Sequence, residues 1–278
     1  MAESGRPADT EMWLAAMRRA CDRIGEAART MSPAERCEPC GAGAGGDTTV
    51  MIDRVAEDIV IEELEALGRP LRVVSEEIGE TTVAGGGSLV AVIDPIDGSL
   101  NAKRGLPIFS TSIALAEGPT MADVTIGLVR DHGTGEEWVA ERGRGAWLDG
   151  DRLAPDPPAV DGSLELLLLE GAFPASVRRL AEGVGHRVGR FRALGSLALS
   201  LCHTASGRGD AMVGLGPGRS VDIAAAQLIA REAGLLVGLP RAADLAGTPL
   251  DLRVRFHVAA ARDAETLTQL ARAATSDH

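Results

Sequence analysis

Apolar residues near the start of the chain recur at helical spacing. Trp13, Met17, Cys21, Ile24 and Ala28, with charges between them, predict an amphipathic helix over residues 10–29 packed on a core. Ser32-Pro33 ends it, and the segment to Gly46 reads as loop. Ala56, Ile59, Val60, Leu64 and Leu67 predict a second helix, with Asp53 near its start and Gly68 as its stop. The pattern then changes to that of strands. Arg72 to Ser75 is a short one, and the apolar run from Leu89 rises to Asp94 and breaks at Pro95, as a buried strand ending in acid groups would. Phe109–Leu115, Asp123–Val129 and Glu136–Arg142 alternate as half-buried strands do, and Ala146–Leu148 leads into a hairpin-type turn at Asp149-Gly150. Strands joined by such short connections imply an antiparallel meander.

Pro155-Asp156-Pro157-Pro158 has neither helix nor strand pattern and is the best linker. It divides the chain into an N-terminal α+β domain, residues 1–154, and a C-terminal α/β domain, residues 159–278. In the second, Leu164–Leu169 reads as a strand buried on both faces, and Gly195-Ser196 opens a helix rich in Ala and Leu. Ile223, Ala226, Ile229, Ala230 and Ala233 share one face of a further helix that stops at Gly234; a strand over 254–260 and a helix over 263–273 complete the domain.

At 278 residues the chain can bury a sizeable core, and no apolar run reaches transmembrane length. Its start lacks the basic head and apolar stretch of a secretory signal, so a cytoplasmic location is expected. A net charge of −12 disfavours nucleic acid and anionic membranes as partners. Cys37 and Cys40 form a CxxC with no second pair and no nearby His, which leaves a zinc site half-built, and they read as loop thiols. Gly41 to Gly46 matches GxGxxG, but no strand precedes it, so it reads as flexible loop.

The acids carry the chemistry. Asp94 and Asp97 at one strand end crowd like charges together unless a cation lies between them, and oxygen-only ligands suit Mg²⁺. Asp53 and Asp222 fall at predicted helix starts, where capping is the ordinary role of Asp. Glu76-Glu77 alone reads as a solvated pair, and Gly195-Ser196 as a tight turn with an N-cap serine.

The string Asp94-Pro95-Ile96-Asp97-Gly98-Ser99, with Asn101 two residues on, resembles the signature of the inositol monophosphatase superfamily, the Mg²⁺-dependent, lithium-sensitive sugar phosphatases. Other segments are similar in order: Thr48-Thr49 to Asp53, Ser75-Glu76-Glu77-Ile78-Gly79, Glu141 to Gly150, Gly195-Ser196, and Asp222-Ile223-Ala224-Ala225. Ser75 before the Glu pair and Arg219 before Asp222 look most like the archaeal bifunctional inositol monophosphatase/fructose-1,6-bisphosphatase branch. Val221 stands where the family commonly has Trp, and no carboxylate lies near Gly214, where animal members bind inositol hydroxyls.

The resemblance implies an α+β fold layered as an α-β-α-β-α sandwich, and a phosphomonoesterase that hydrolyses inositol 1-phosphate, fructose 1,6-bisphosphate or both. It implies two or three Mg²⁺ held by Glu76, Asp94, the Ile96 carbonyl, Asp97 and Asp222, and water activation by Glu76, Asp53 and Ser99, with Thr49 alongside. Substrate contacts fall on Gly98, Ser99, Gly195, Ser196 and Arg219. The expected partner is a small phosphorylated metabolite, and the expected assembly a homodimer. Two alternatives are a phosphatase of 3′-phosphoadenosine 5′-phosphate or NADP and a catalytically silent metal-binding scaffold.

Overall fold

The amphipathic stripe that begins at Trp13 folds as helix α1 (Ala8–Thr30), with Trp13, Leu14, Met17 and Ile24 buried on its inner face. The structure is a computed structural model of the chain and describes residues 8–44, 48–154, 157, 161–240 and 244–275. After α1, Ser32 accepts the N–H of Glu35 and caps a one-turn helix, α2 (Pro33–Arg36). A small ribbon of β1 (Pro39–Ala42) and β2 (Thr48–Val50) follows, so the stretch read as loop is partly ordered by pairing of Ala42 with Thr48. Helix α3 (Met51–Glu65) packs beside α1.

Next come β3 (Leu71–Ser75), β4 (Gly79–Val83), β5 (Val90–Asp97), the short helix α4 (Ser99–Arg104), β6 (Ser110–Ala116), β7 (Val124–Asp131), β8 (Glu137–Glu141), β9 (Gly145–Leu148) and β10 (Asp151–Arg152). They form an eight-stranded sheet in the order β10-β9-β8-β7-β6-β5-β3-β4. From β5 to β10 the strands are the expected antiparallel meander; β3 joins β5 in parallel. Strand β5 does not end at Pro95. Its register slips between Asp94, opposite Ser112, and Asp97, opposite Ser110, and the bulge takes up Pro95, which lacks an N–H for the ladder.

The C-terminal half supplies β11 (Leu164–Glu170), α5 (Pro174–Val184), β12 (Val188–Arg192), α6 (Leu197–Ala205), β13 (Ala211–Gly214), α7 (Ser220–Glu232), β14 (Leu236–Gly238), β15 (Ala259–Ala261) and α8 (Ala264–Thr275). Its five strands lie in the order β12-β11-β13-β15-β14. The predicted linker at Pro155–Pro158 lies, apart from Pro157, outside the described residues, as does Asp47.

Burial explains the layering. Along β5, Ala91 and Ile93 face a core with Trp13, Leu14, Ile52 and Val60 of α1 and α3. Val90 and Val92 face the opposite core, shared with Leu199 of α6, Ile223 and Ala226 of α7, and Leu168 and Met212 of the second sheet. A third core joins α5 and α8 to the far face of that sheet through Leu167, Leu180, Val213 and Leu270. The molecule is therefore an α-β-α-β-α sandwich with α6 and α7 as its central layer. Because that layer covers the first sheet, β6 is buried throughout rather than half-buried. Among the described residues no helix is long and apolar enough to cross a membrane.

Candidate active site

The bulge in β5 turns both of its carboxylates toward the central layer. Asp94 is buried and its Oδ1 accepts the Ile96 N–H at 3.1 Å. Glu76, in the turn after β3, and Asp222, in the first turn of α7, join it: each of the three offers an oxygen, and these oxygens lie within 4.8 Å of one another. Asp222 also fills the capping role expected of an Asp at N3, accepting the Arg219 N–H at 2.6 Å. With Asp97, Ile96, Gly98, Ser99, Leu100, Glu170, Gly171, Gly195 and Leu197, these residues line an open cavity of about 300 Å³.

Asp97 lies in the same wall with both oxygens engaged by α6. Oδ2 accepts the Ser196 hydroxyl (2.5 Å) and the Ala198 N–H (2.7 Å), and Oδ1 the Leu197 N–H (3.2 Å). Ser196 is itself buried and caps α6 through the Leu199 N–H, so it stands behind the cavity wall while Gly195 forms part of it. Gly98 opens α4 with φ of 100°, a left-handed conformation suited to glycine, and a Cβ there would meet the carbonyl oxygens of Gly195 and Ile108 at 3.1 Å. Asn101 fastens the same corner by donating to the Ile108 and Leu194 carbonyls, both at 2.7 Å.

Asp53 occupies N3 of α3 and is buried; its Oδ2 accepts the Val50 N–H, and its Oδ1 has no hydrogen-bond partner. Ser99 Oγ donates to the Ile96 carbonyl at 2.9 Å. Thr49 donates to Glu77, and Arg219 Nη1 to Glu76. Cys37 and Cys40 are exposed free thiols, with Sγ of Cys37 on the Lys103 carbonyl and Sγ of Cys40 on that of Thr49.

Electrostatics are adverse without a cation. Burial, then the neighbouring Glu76, Asp97 and Asp222, push Asp94 well above the carboxylate range. Burial and then Asp222 raise Glu76 to about 7; burial raises Asp97 to about 7 and Asp222 to about 6; burial and then Glu77 raise Asp53 to about 6. Three hard oxygen donors at this spacing fit a divalent cation, whereas Asp53 lies outside both that group and the cavity lining.

The sequence reading did not include Glu170. This buried acid ends β11 and accepts the N–H groups of Leu194 and Gly195, both at 2.9 Å, and the Ser200 hydroxyl at 2.6 Å. It thereby holds the turn that presents Ser196 to Asp97. A carboxylate closing an apolar run was the one available signal.

Likeness to known proteins defines the class, a phosphomonoesterase of the sugar phosphatase type. A solved inositol monophosphatase–fructose 1,6-bisphosphatase superposes with a TM-score of 0.81 at 25% identity, over 94% of this chain and 99% of that one. The Thermotoga maritima inositol monophosphatase gives 0.74 at 25% identity, over 94% and 96%. The chain belongs to the inositol monophosphatase family, whose model matches residues 9–277. It is 36% identical over 252 residues to the fructose-1,6-bisphosphatase/inositol-1-monophosphatase of Methanothermobacter thermautotrophicus, spanning 85% of this chain and 88% of that protein. It is also 30% identical over 245 residues to the bifunctional NADP phosphatase/NAD kinase of Methanocaldococcus jannaschii, spanning 77% and 41%.

Proposed function

We propose that this protein is a Mg²⁺-dependent phosphomonoesterase acting on inositol 1-phosphate, fructose 1,6-bisphosphate or both. The observation that carries the reading is the convergence of Glu76, Asp94 and Asp222 within 4.8 Å in a cavity also lined by the Gly98-Ser99 turn. Likeness to the Methanothermobacter protein supports the choice of substrates.

A phosphate ester resists water because its oxygens are negative, so charge must be neutralised and the nucleophile held in line. Glu76, Asp94, the Ile96 carbonyl, Asp97 and Asp222 would hold Mg²⁺, which would supply that neutralisation and lower the pKa of a bound water. The chain's own groups do the rest. Glu76 takes the proton of the water, which Ser99 and Asp53 help to orient, and Thr49 fixes the neighbouring Glu77. Gly98 and Ser99 receive the phosphate, with Gly195 packed beside Gly98. Ser196 acts through Asp97, and Arg219 faces a second anionic group of the substrate. Lithium sensitivity, a homodimer and a cytoplasmic location belong to the same proposal.

A nucleotide phosphate such as NADP is the second reading, favoured by Phe173, 65% exposed and two residues from Gly171 on the cavity wall. An exposed ring there offers a stacking face. The deciding experiment is phosphate release from inositol 1-phosphate, fructose 1,6-bisphosphate, 3′-phosphoadenosine 5′-phosphate and NADP, each with Mg²⁺, with EDTA and with added Li⁺. Magnesium-dependent turnover of the first two supports the proposal, and preference for the last two supports the second reading. No turnover at all would leave a silent scaffold.

A further inference from the structure

Arg219 is tied to the acidic cluster at both of its polar ends. Its backbone N–H donates to Asp222 Oδ2, and its guanidinium donates to Glu76 Oε1 from an element 143 positions away in the chain. Both partners belong to the group of three that can hold a cation. The side chains of Arg219 and Glu76 are 11% and 22% exposed, so their attraction is screened far less than that of a surface pair. A guanidinium does not lose its proton, and its charge on Glu76 is permanent. A divalent cation entering the cluster draws on the same carboxylate group.

We propose that Arg219 is the resident counter-ion of Glu76, which a divalent cation must displace, and that the displaced guanidinium is what turns to the second anionic group of the substrate. The proposal rests on the metal-dependent reading above and adds to it a coupling: cation binding and recognition of a doubly anionic substrate draw on one side chain. Linkage makes the coupling reciprocal. Removing the positive charge strengthens the field at the cluster, so the cation binds more tightly while the bisphosphate binds less well.

The test uses the full chain, with Mg²⁺ affinity measured by calorimetry in the absence of substrate and KM measured for inositol 1-phosphate and fructose 1,6-bisphosphate. Arg219→Gln is expected to tighten Mg²⁺ about tenfold and to raise KM for the bisphosphate far more than for the monophosphate. It is also expected to lower the melting temperature of the cation-free protein and enlarge its rise on adding Mg²⁺. Arg219→Lys, which keeps the charge without the planar fork, is expected to fall between the two and serves alone if the Gln variant does not fold. Mg²⁺ affinity unchanged or weakened in the variants, with wild-type turnover intact, would overturn the role of Arg219 and leave the phosphatase reading standing. A wild-type protein that takes up no Mg²⁺ would overturn both.

Discussion

Asp97, at the end of β5, accepts the hydroxyl hydrogen of Ser196, which lies 99 positions further along the chain. Through that bond and the N–H groups of Leu197 and Ala198, a carboxylate from the eight-stranded sheet caps a helix of the central layer. The positive end of α6 offsets the burial of the charge. One contact thus fastens two sequence-distant walls of the cavity.

Ser196→Ala removes the hydroxyl bonds to Asp97 and to the Leu199 N–H together. A loss of about 1–2 kcal/mol in stability is expected, read by denaturant unfolding, with a rise in the Mg²⁺ concentration needed for half-maximal turnover. Equal melting and equal cation dependence in the variant would refute the link.

Asp94→Asn separates stability from function. Asp94 is 2% exposed, and it lies against Glu76, Asp97 and Asp222 with, among the described residues, the Ile96 N–H as its one hydrogen-bond donor. Without a cation the charge is a liability, so the neutral amide is expected to stabilise the cation-free protein by about 1–2 kcal/mol while turnover falls at least about a thousandfold. Melting in EDTA and phosphate release in Mg²⁺ check the two halves. A destabilised Asn variant would contradict the electrostatic argument.

The acids also set a pH dependence of stability. In cation-free protein Glu76 and Asp97 are raised to about 7, and Asp53 and Asp222 to about 6. A carboxyl with a raised folded pKa holds its proton more tightly when folded, so its contribution is complete below its unfolded pKa and is lost as pH rises through the folded value. His132, depressed to about 4 by burial, works in the opposite sense between about pH 4 and 6.5, but one imidazole does not offset four carboxyls, so the net fall runs from about pH 4 to about pH 7. The melting temperature in EDTA is expected to drop across that interval, and saturating Mg²⁺ to abolish the drop. A flat EDTA profile would count against the raised acids.

Most of the elements were legible because helical and strand periods are local, while their layering was implied by the family resemblance. The register of α1, α3 and α7 and the order of the meander follow from residues a few positions apart. What escaped depends on partners far along the chain. Pro95 reads as a strand end, but the bulge lets Asp97 pair across from Ser110. Phe109–Leu115 reads as half-buried because its pattern does not reveal that α7 covers the second face of β6. Glu170 has no local signal for its role beyond closing an apolar run, because its partners Leu194, Gly195 and Ser200 lie 24 to 30 positions away. At the site, the signature named the acids through resemblance, while the hold of α6 on Asp97 and of Arg219 on Glu76 required coordinates.

Gly127 tests how the central layer places Asp222. In β7 it faces α7 so closely that a Cβ would lie 2.8 Å from the Ala225 carbonyl oxygen and 3.0 Å from its Cα. Those atoms belong to helix backbone one turn beyond Asp222, so the helix must move rather than a side chain. Gly127→Ala is expected to cost about 1–3 kcal/mol in stability. By shifting α7 it is also expected to raise the half-saturating Mg²⁺ concentration. Gly185→Ala is the control, since its added carbon would meet only the Ala181 Cβ, at 3.9 Å. If Gly127→Ala folds stably with weakened cation dependence while Gly185→Ala matches the wild type, the seat of α7 on β7 sets the position of the third carboxylate. If both variants behave as the wild type, Asp222 is placed by its own helix cap alone.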